Sequence, residues 1–254
     1  MKPPLSTTSY YSDQQPLLSI IIPARYEAER LPRTFHLLEN FLEKTLYSAQ
    51  IIPVVQGNDE SVSIVRDLAA RDHRVHPLFD PHGKGKGRAV RQGVAAAEGK
   101  IILFMDTDLS VPLDSLQRLI EQLLETPSLD ILIGSRRHPQ SRILIPQTII
   151  RRLLSKIFNL LLKKLELTTL SDTQCGCKLF RYEAAKKVFA QTSIDGFGFD
   201  VELLFLANSL HYKIKEAPID WSNGKNSHFS IFRDGIKTLY DIWMLKKRIK
   251  EKIK

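Results

Sequence analysis

Apolar runs and amphipathic stretches alternate regularly through the first half of the chain. Leu17-Leu18-Ser19-Ile20-Ile21-Ile22-Pro23 reads as a buried strand, and Leu31, Phe35, Leu38, Leu42 and Leu46 then recur at helical spacing. Ile51-Ile52-Pro53-Val54-Val55 predicts a second strand, although Pro53 cannot donate to a ladder. Asp59 or Ser61 can cap a helix running to about Arg71. Val75 to Phe79 is a short strand, Gly87 to Glu98 a helix, and Lys100 to Met105 a central strand. Pro112 to Leu124 is helical, and Asp130 to Gly134 is again strand. Strands alternating with helices predict an α/β protein with a mostly parallel sheet flanked by helices.

The second half has a different pattern. Residues 149–165 form an amphipathic helix, with Ile149, Ile150, Leu153, Leu154, Ile157, Phe158, Leu161 and Leu165 on one face. Arg151, Arg152, Ser155, Lys156, Asn159, Lys163 and Lys164 lie opposite, while Leu160 and Leu162 break the edge. Two environments satisfy this pattern: packing on the sheet with a solvated basic face, or lying in a membrane interface. Residues 236–254 repeat its character, with Tyr240, Trp243, Met244 and Leu245 ahead of a basic tail. Residues 1–16 show no periodicity and read as a flexible lead-in.

Charge sharpens this division. The 254 residues carry 37 basic and 28 acidic side chains, a formal +9. Arg136–Lys164 holds eight Lys and Arg without an Asp or Glu, and Lys237–Lys254 is net +5, so the remainder is −4. A regional excess of this kind points to a surface facing polyanions. Apolar residues make up 43% of the chain, enough for a sizeable core. The two cysteines, Cys175 and Cys177, are one residue apart and poorly placed to bond each other. Together with a start lacking a signal-peptide pattern, they suggest a reducing, cytoplasmic setting and inert loop thiols. No stretch of about 18 apolar residues predicts a membrane span.

The candidate chemistry centres on Asp106-Thr107-Asp108, where the run Ile101–Met105 ends in two carboxylates one residue apart. On an extended segment they point the same way, beyond the carboxyl end of a strand, where open α/β sheets bind ligands. Hard oxygen ligands suit Mg²⁺ or Mn²⁺ shared with substrate phosphates. The plain alternative is a strand stopping at a polar turn, with Asp108 capping a helix before Pro112.

Four stretches fit one pattern: Pro23 to Pro32, Gly85-Lys86-Gly87-Arg88-Ala89-Val90-Arg91-Gln92-Gly93, Asp106-Thr107-Asp108, and Gly134-Ser135-Arg136. Asp172 to Arg181 and Gly196-Phe197-Gly198-Phe199-Asp200-Val201-Glu202-Leu203-Leu204 extend it. Over residues 17 to about 235 the chain resembles the inverting glycosyltransferases of family 2, with the GT-A fold. Within them it is most similar to the polyprenyl- and dolichyl-phosphate hexosyltransferase branch, especially the dolichyl-phosphate β-glucosyltransferases. It departs from the family at Arg25-Tyr26-Glu27, where Tyr-Asn-Glu is usual, and at Gln56-Gly57-Asn58-Asp59-Glu60-Ser61, where Asp-Asp-Gly-Ser is usual.

The resemblance implies a nucleotide-sugar-binding half, 17–135, an acceptor half, 136–235, and a basic C-terminal helix, 236–254. Donor contacts fall on Pro23, Ala24, Glu27, Gln56, Lys86, Gly87 and Asp106, with Gln56 able to hydrogen-bond a base edge. The Gly-Lys-Gly turn would let backbone N–H groups approach a diphosphate at a helix start. Asp106 and Asp108 would hold Mg²⁺ or Mn²⁺ against the departing diphosphate. Asp200 and Glu202 are candidates for a second acid/base site, and Asp200 also reads as a helix N-cap. A phosphate acceptor needs no base, so positioning groups matter more: Arg136, Arg137, Gln174, Lys178 and Arg233.

The expected activity is transfer of a hexose, first of all glucose from UDP-glucose, to polyprenyl phosphate on the cytoplasmic face of a membrane with anionic lipid. GDP-mannose as donor, or another lipid or glycan acceptor, is the second reading. A non-catalytic sugar-nucleotide or nucleic-acid binder is more remote, because no aromatic-basic nucleic-acid module is visible.

Overall fold

The structure, a computed structural model, describes residues 15–165, 167–224 and 231–253. Of the lead-in, residues 1–14 lie outside the described residues, and Pro16 is already tied to the sheet edge by a bond from the Lys100 amide, 3.0 Å. The elements in order are β1 (Leu18–Ala24), α1 (Leu31–Thr45), β2 (Ala49–Gln56), α2 (Ser61–Arg71), β3 (Leu78–Asp80), α3 (Lys86–Ala96) and β4 (Ile101–Phe104). There follow α4 (Leu113–Glu125), β5 (Ile131–Ser135), β6 (Arg142–Ile145), α5 (Ile149–Lys164), β7 (Lys178–Arg181) and α6 (Tyr182–Phe189). Last come α7 (Phe199–Ser209), β8 (Ile214–Pro218), β9 (Asp220–Ser222) and α8 (Ile231–Ile253).

The main sheet runs β3-β2-β1-β4-β7-β5-β8, and β6 pairs with β9 separately. Every neighbouring pair in the main sheet is parallel except at β7, which runs antiparallel to both β4 and β5. Both faces are covered, so the strands are apolar on both sides. Ile20, Ile22 and Leu103 pack with α1, α2 and α4, whereas Ile21, Ile102 and Phe104 pack with α3, α6 and α7.

Two local departures from the sequence reading have simple causes. Pro53 lies inside β2, in register with Ile22. The Ile51 amide points toward the β3 side, donating to Arg74 O at 2.8 Å, so Pro53, two residues on, faces the same flank. There β3 is interrupted between a bridge at Val75 and its start at Leu78, so no ladder donor is missed. Leu46, expected on the buried face of α1, instead ends the helix in a left-handed conformation (φ 55°) and is exposed.

The antiparallel β7 carries the main positional consequence. Its first residue, Lys178, pairs with Phe104 at the carboxyl end of β4. The loop 172–177 leading into β7 therefore lies at the edge where Asp106 emerges, which an all-parallel sheet would place at the opposite end.

Helix α5 packs by one edge of its predicted apolar face, with most of that face exposed. Leu162 is fully buried, and Phe158, Leu162 and Leu165 join Val201 and Phe205 of α7 and Ile242 of α8. Asn159 from the polar face is also buried, while Ile149 is 81% exposed and Ile150, Leu153, Leu154, Ile157, Leu160 and Leu161 are exposed with it. Ile143, Leu144 and Ile145 of β6, and Tyr240 and Trp243 of α8, are exposed as well. No helix of the described residues is long and apolar enough to cross a membrane.

This orientation predicts unequal costs along one helix. Leu162→Ala should cost about 2–5 kcal/mol in urea unfolding, and Leu153→Ala within about 0.5 kcal/mol. The reverse ranking would show that α5 packs by its apolar stripe.

Candidate active site

The site lies beyond the carboxyl ends of β1 and β4. Met105 continues the ladder by donating to Ile21 O at 3.0 Å, and the chain then leaves the sheet at Asp106. Lys86 Nζ donates to Asp106 Oδ1 at 2.5 Å. The other oxygen, Oδ2, rests against Gly176, where a methyl group would overlap it. Asp108 Oδ1 accepts from Ser110 N at 2.9 Å and Ser110 Oγ at 2.5 Å, and its Oδ2 nests against Gly224 in the same manner. Asp108 thus closes a turn and does not cap a helix; α4 begins five residues later with Pro112 at its N-cap position. Among the described residues no group of three or more His, Cys, Asp and Glu side chains gathers as a metal cage. Asp106 and Asp108 both act on the Lys86 ammonium, and their oxygens are the donor type that a hard cation sharing substrate oxygens takes.

Behind this edge lies a set of paired charges around the Phe104 ring, with Lys86 Nζ 6.0 Å and Lys178 Nζ 5.3 Å from its centroid. Lys178 is 0% exposed and donates to Asp200 Oδ1 at 2.5 Å and Cys175 O at 2.7 Å. Burial pushes the Asp200 carboxyl up, against the pull of Lys178 and Lys86. Burial also disfavours the Lys86 ammonium, but the carboxylates of Asp106, Asp200 and Asp108 outweigh it and raise its pKa. These placements correct three expectations. Lys178 is inaccessible to an acceptor. Asp200 lies inside α7, whose N-cap position is Gly198, and is enclosed in an ion pair, so it is not poised as a base. Glu202 accepts from the amides of Ser193 and Ile194 at 2.9 and 2.8 Å and is likewise structural.

The glycine turn is also organised by the protein itself. Gly85 has φ +117°, and a methyl there would overlap the Asp195 carbonyl; one on Gly87 would overlap the Ile194 carbonyl. Arg88 N donates to Asp195 O at 3.3 Å. Gln56 is buried, its Oε1 accepting from Gly85 N at 3.1 Å and its Nε2 donating to Gly85 O at 3.2 Å. The expected close approach thus goes to the Ile194–Gly196 strand of chain, and the Gln56 amide fastens the turn instead of facing a base edge. Gly87 is buried in this contact, and Lys86 is the turn's member aimed at the carboxylates. On the donor side, Pro23 and Ala24 finish β1. Glu27 holds Arg30 at 2.9 Å, and its amide donates to Ser61 Oγ at 3.0 Å, joining the β1 exit to α2. Asp59 Oδ2 accepts from Ser61 Oγ at 2.8 Å.

Across the cleft, Arg136 grips Asp172 through two bonds of 2.7 Å and stacks over Trp221 at 5.5 Å. Burial tends to raise the Asp172 carboxyl, but Arg136 prevails and holds it at about 2. Arg137 donates to Ser155 O and Oγ of α5 at 2.7 and 2.9 Å. Gln174 Nε2 is buried with no hydrogen-bond partner among the described residues. Arg233 lies in α8, and its side chain is outside the described residues. Cys175 and Cys177, read as loop thiols, are buried core residues; burial pushes Cys175 up to about 11 and raises Cys177 well above the usual thiol range, so both stay protonated.

Three participants escaped the sequence reading. Asp172 and Gly176 stood in a quoted motif without a role, and only the antiparallel β7 brings Gly176 against Asp106 and Asp172 to Arg136. Arg151, assigned to a solvated face, is depressed by burial and by Arg136 while Asp108 pulls it back up, so α5 carries it into the electrostatic range of the site.

The family model for Glycosyl transferase family 2 matches residues 19–189. A dolichyl-phosphate beta-glucosyltransferase of Drosophila melanogaster is 31% identical over 240 residues, covering 90% of this chain and 74% of that protein. Its counterpart in Dictyostelium discoideum is 31% identical over 236 residues, 89% and 72% of the two chains. Among solved structures, glucosyl-3-phosphoglycerate synthase from Mycobacterium tuberculosis, in complex with Mn²⁺, UDP-glucose and glycerol 3-phosphate, superposes with a TM-score of 0.63 at 16% identity. That match covers 92% of this chain and 80% of the other, and shares its fold.

Two outcomes follow from this geometry. Asp172 titrates at about 2 in the fold against about 3.9 unfolded, so the unfolded chain binds the extra proton between those values. Its contribution, on the order of 2 kcal/mol, is present above pH 4 and lost as pH falls toward 2. The stability gap between the parent and Asp172→Asn should shrink over that range in urea titrations; a constant gap would show that the pair is not ionised. Gln56→Ala removes the partner of the Gly85 amide and one of the two donors to its carbonyl, the other being Ala89 N, and should weaken donor binding by about 1–3 kcal/mol in calorimetry. Unchanged affinity would show that the glycine turn holds its shape unaided.

Proposed function

The chain belongs to glycosyl transferase family 2, and we propose that it transfers glucose from UDP-glucose to a polyprenyl phosphate of the dolichyl type at the cytoplasmic face of a membrane, inverting the anomeric carbon. One observation carries the lipid half of this reading: α5 turns its apolar stripe outward while its Arg151 end reaches toward Asp108. A lipid-bound phosphate can thus be delivered to the carboxylate edge without leaving the interface.

The acceptor is an anion at neutral pH, so its oxygen attacks the anomeric carbon without a base. The bond from that carbon to the donor's β-phosphate oxygen breaks, and the sugar emerges on the opposite face. This agrees with a site whose buried carboxylate, Asp200, is fastened to Lys178. Lys86, beside Asp106, offsets the charge of the leaving diphosphate. Gln174 Nε2 orients the acceptor phosphate, with Arg136 fixing the loop that carries Gln174, while Arg137 is drawn away to Ser155 of α5. Asp106 and Asp108 would hold Mg²⁺ or Mn²⁺, whose chemistry there is Lewis-acid neutralisation of the departing diphosphate. The Mn²⁺ complex of a protein with the same fold supports that assignment.

The basic residues of α5 and α8 would add roughly 1 kcal/mol each of attraction to anionic lipid where well placed, weakening with salt. Leu154, Ile157 and Leu161 are exposed, so exchanging all three for Ser leaves the core intact. The triple variant should bind UDP-glucose as the parent does, yet lose most transfer to long-chain polyprenyl phosphate in vesicles. Normal transfer by a folded triple variant, or sedimentation of the parent with neutral vesicles as readily as with anionic ones, would refute the membrane reading.

A further inference from the structure

Along α5, past Arg151, a cavity of about 320 Å³ opens between the helix and the loop that starts at Ser171. Its lining is Arg137, Lys156, Asn159, Leu160, Lys163 and Ser171, three of them cationic and none anionic. Its volume falls in the range of small-molecule sites, about 300–1,000 Å³. The acids nearby are already engaged: Asp172 by Arg136, and Glu216 by the amides of Ser171 and Asp172 at 2.9 Å each. Among the described residues neither Arg137, Lys156 nor Lys163 forms an ion pair. Arg137 is positioned from behind by Ser155, and the buried Asn159 adds an amide from a helix face otherwise basic.

Three cations that form no ion pair among the described residues, lining one cavity, are complementary to a phosphate group. The rim shows what the phosphate is attached to. Leu160 lines the cavity while 67% exposed, and Ile157 and Leu161 continue the apolar surface outward beside it. A ligand with a charged head in the cavity and an apolar tail along the helix satisfies both. Lys156 and Lys163 lie five and twelve residues beyond Arg151, roughly 8 and 18 Å along the axis at 1.5 Å per residue. The two helix cations of the cavity are therefore displaced along α5 from its Arg151 end.

We infer that this cavity is a discrete binding site for the phosphate headgroup of an anionic membrane lipid, separate from the position of the acceptor's reacting phosphate. It seats α5 on the bilayer at a defined depth, holding the Arg151 end over the site. The inference rests on the membrane placement proposed above but concerns one pocket, and its test needs no bilayer.

The probe is dihexanoyl phosphatidic acid, titrated below its micelle-forming concentration into the full chain by calorimetry. The comparison is between Lys156→Gln/Lys163→Gln, within the cavity, and Arg152→Gln/Lys164→Gln, which removes equal charge from exposed positions of the same helix outside it. The cavity variant should bind at least about tenfold more weakly than the parent, the control within about threefold, with thermal melts unchanged in both. Inorganic phosphate should bind the parent at least about tenfold more weakly than the lipid. Equal losses in the two variants would show diffuse surface attraction and overturn the site. Inorganic phosphate binding as tightly as the lipid would make it a site for free phosphate, and overturn the lipid assignment. If the short-chain lipid binds as expected while the parent ignores anionic vesicles, the pocket stands and the membrane placement fails.

Discussion

A fully buried ammonium group is tolerable only beside a carboxylate, and Lys178 imposes that condition on the whole ligand edge. Register places it opposite Phe104, at the end of the strand that delivers Asp106. Asp200 must then lie inside α7 and not at its cap, and α7 must approach closely enough for Gly87 to pack flush on Phe199. That contact fixes the start of α3, which aims Lys86 at Asp106. Lys86 and Lys178 are thereby matched by Asp106 and Asp200, while Asp108, held by Ser110, faces the charge of Arg151. The carboxylate oxygens of Asp106 and Asp108 are the donor type a divalent cation shared with a diphosphate takes.

The parts of the fold visible in the sequence are those built from local periodicity. The strands at Ile20–Ile22 and Ile101–Phe104 and the helices α1, α3 and α4 follow from apolar spacing alone, with ends displaced by a residue or two. What escaped was decided by distant partners. Nothing in Lys178-Leu179-Phe180-Arg181 announces a strand antiparallel to its neighbours, and with β7 unseen the loop carrying Asp172, Gln174 and Gly176 could not be placed. β6, β8 and β9 are short and only partly apolar, and β6 is exposed throughout.

The candidate site shows the same division. Two carboxylates just past a strand end were legible from the apolar run before them, but the chain turns at 107–108, so the shared direction expected of an extended segment does not apply. The partners of each side chain were not legible. Gln56 and the glycines at 85 and 87 are residue types expected to face a nucleotide, yet they face one another and Asp195. Residue type identified the neighbourhood, and tertiary packing decided which members turn toward the cleft. Helix α5 is the sharpest instance: periodicity predicts two faces, and only contact with α7 and α8 determines that the buried edge holds Asn159 and Leu162 with Phe158 and Leu165, while the rest of the apolar stripe looks outward.

These observations describe a donor site built on rigid sheet ends and an acceptor side on a helix with an unusual orientation, joined at the carboxylate edge. The measurement that bears on that junction most directly is calorimetric titration of UDP-glucose into the parent and into Asp106→Asn, each with Mg²⁺, with Mn²⁺ and with chelator. The account predicts binding by the parent that requires the divalent ion and a loss of at least about tenfold in Asp106→Asn at unchanged thermal stability. Equal binding by both proteins in chelator would contradict it.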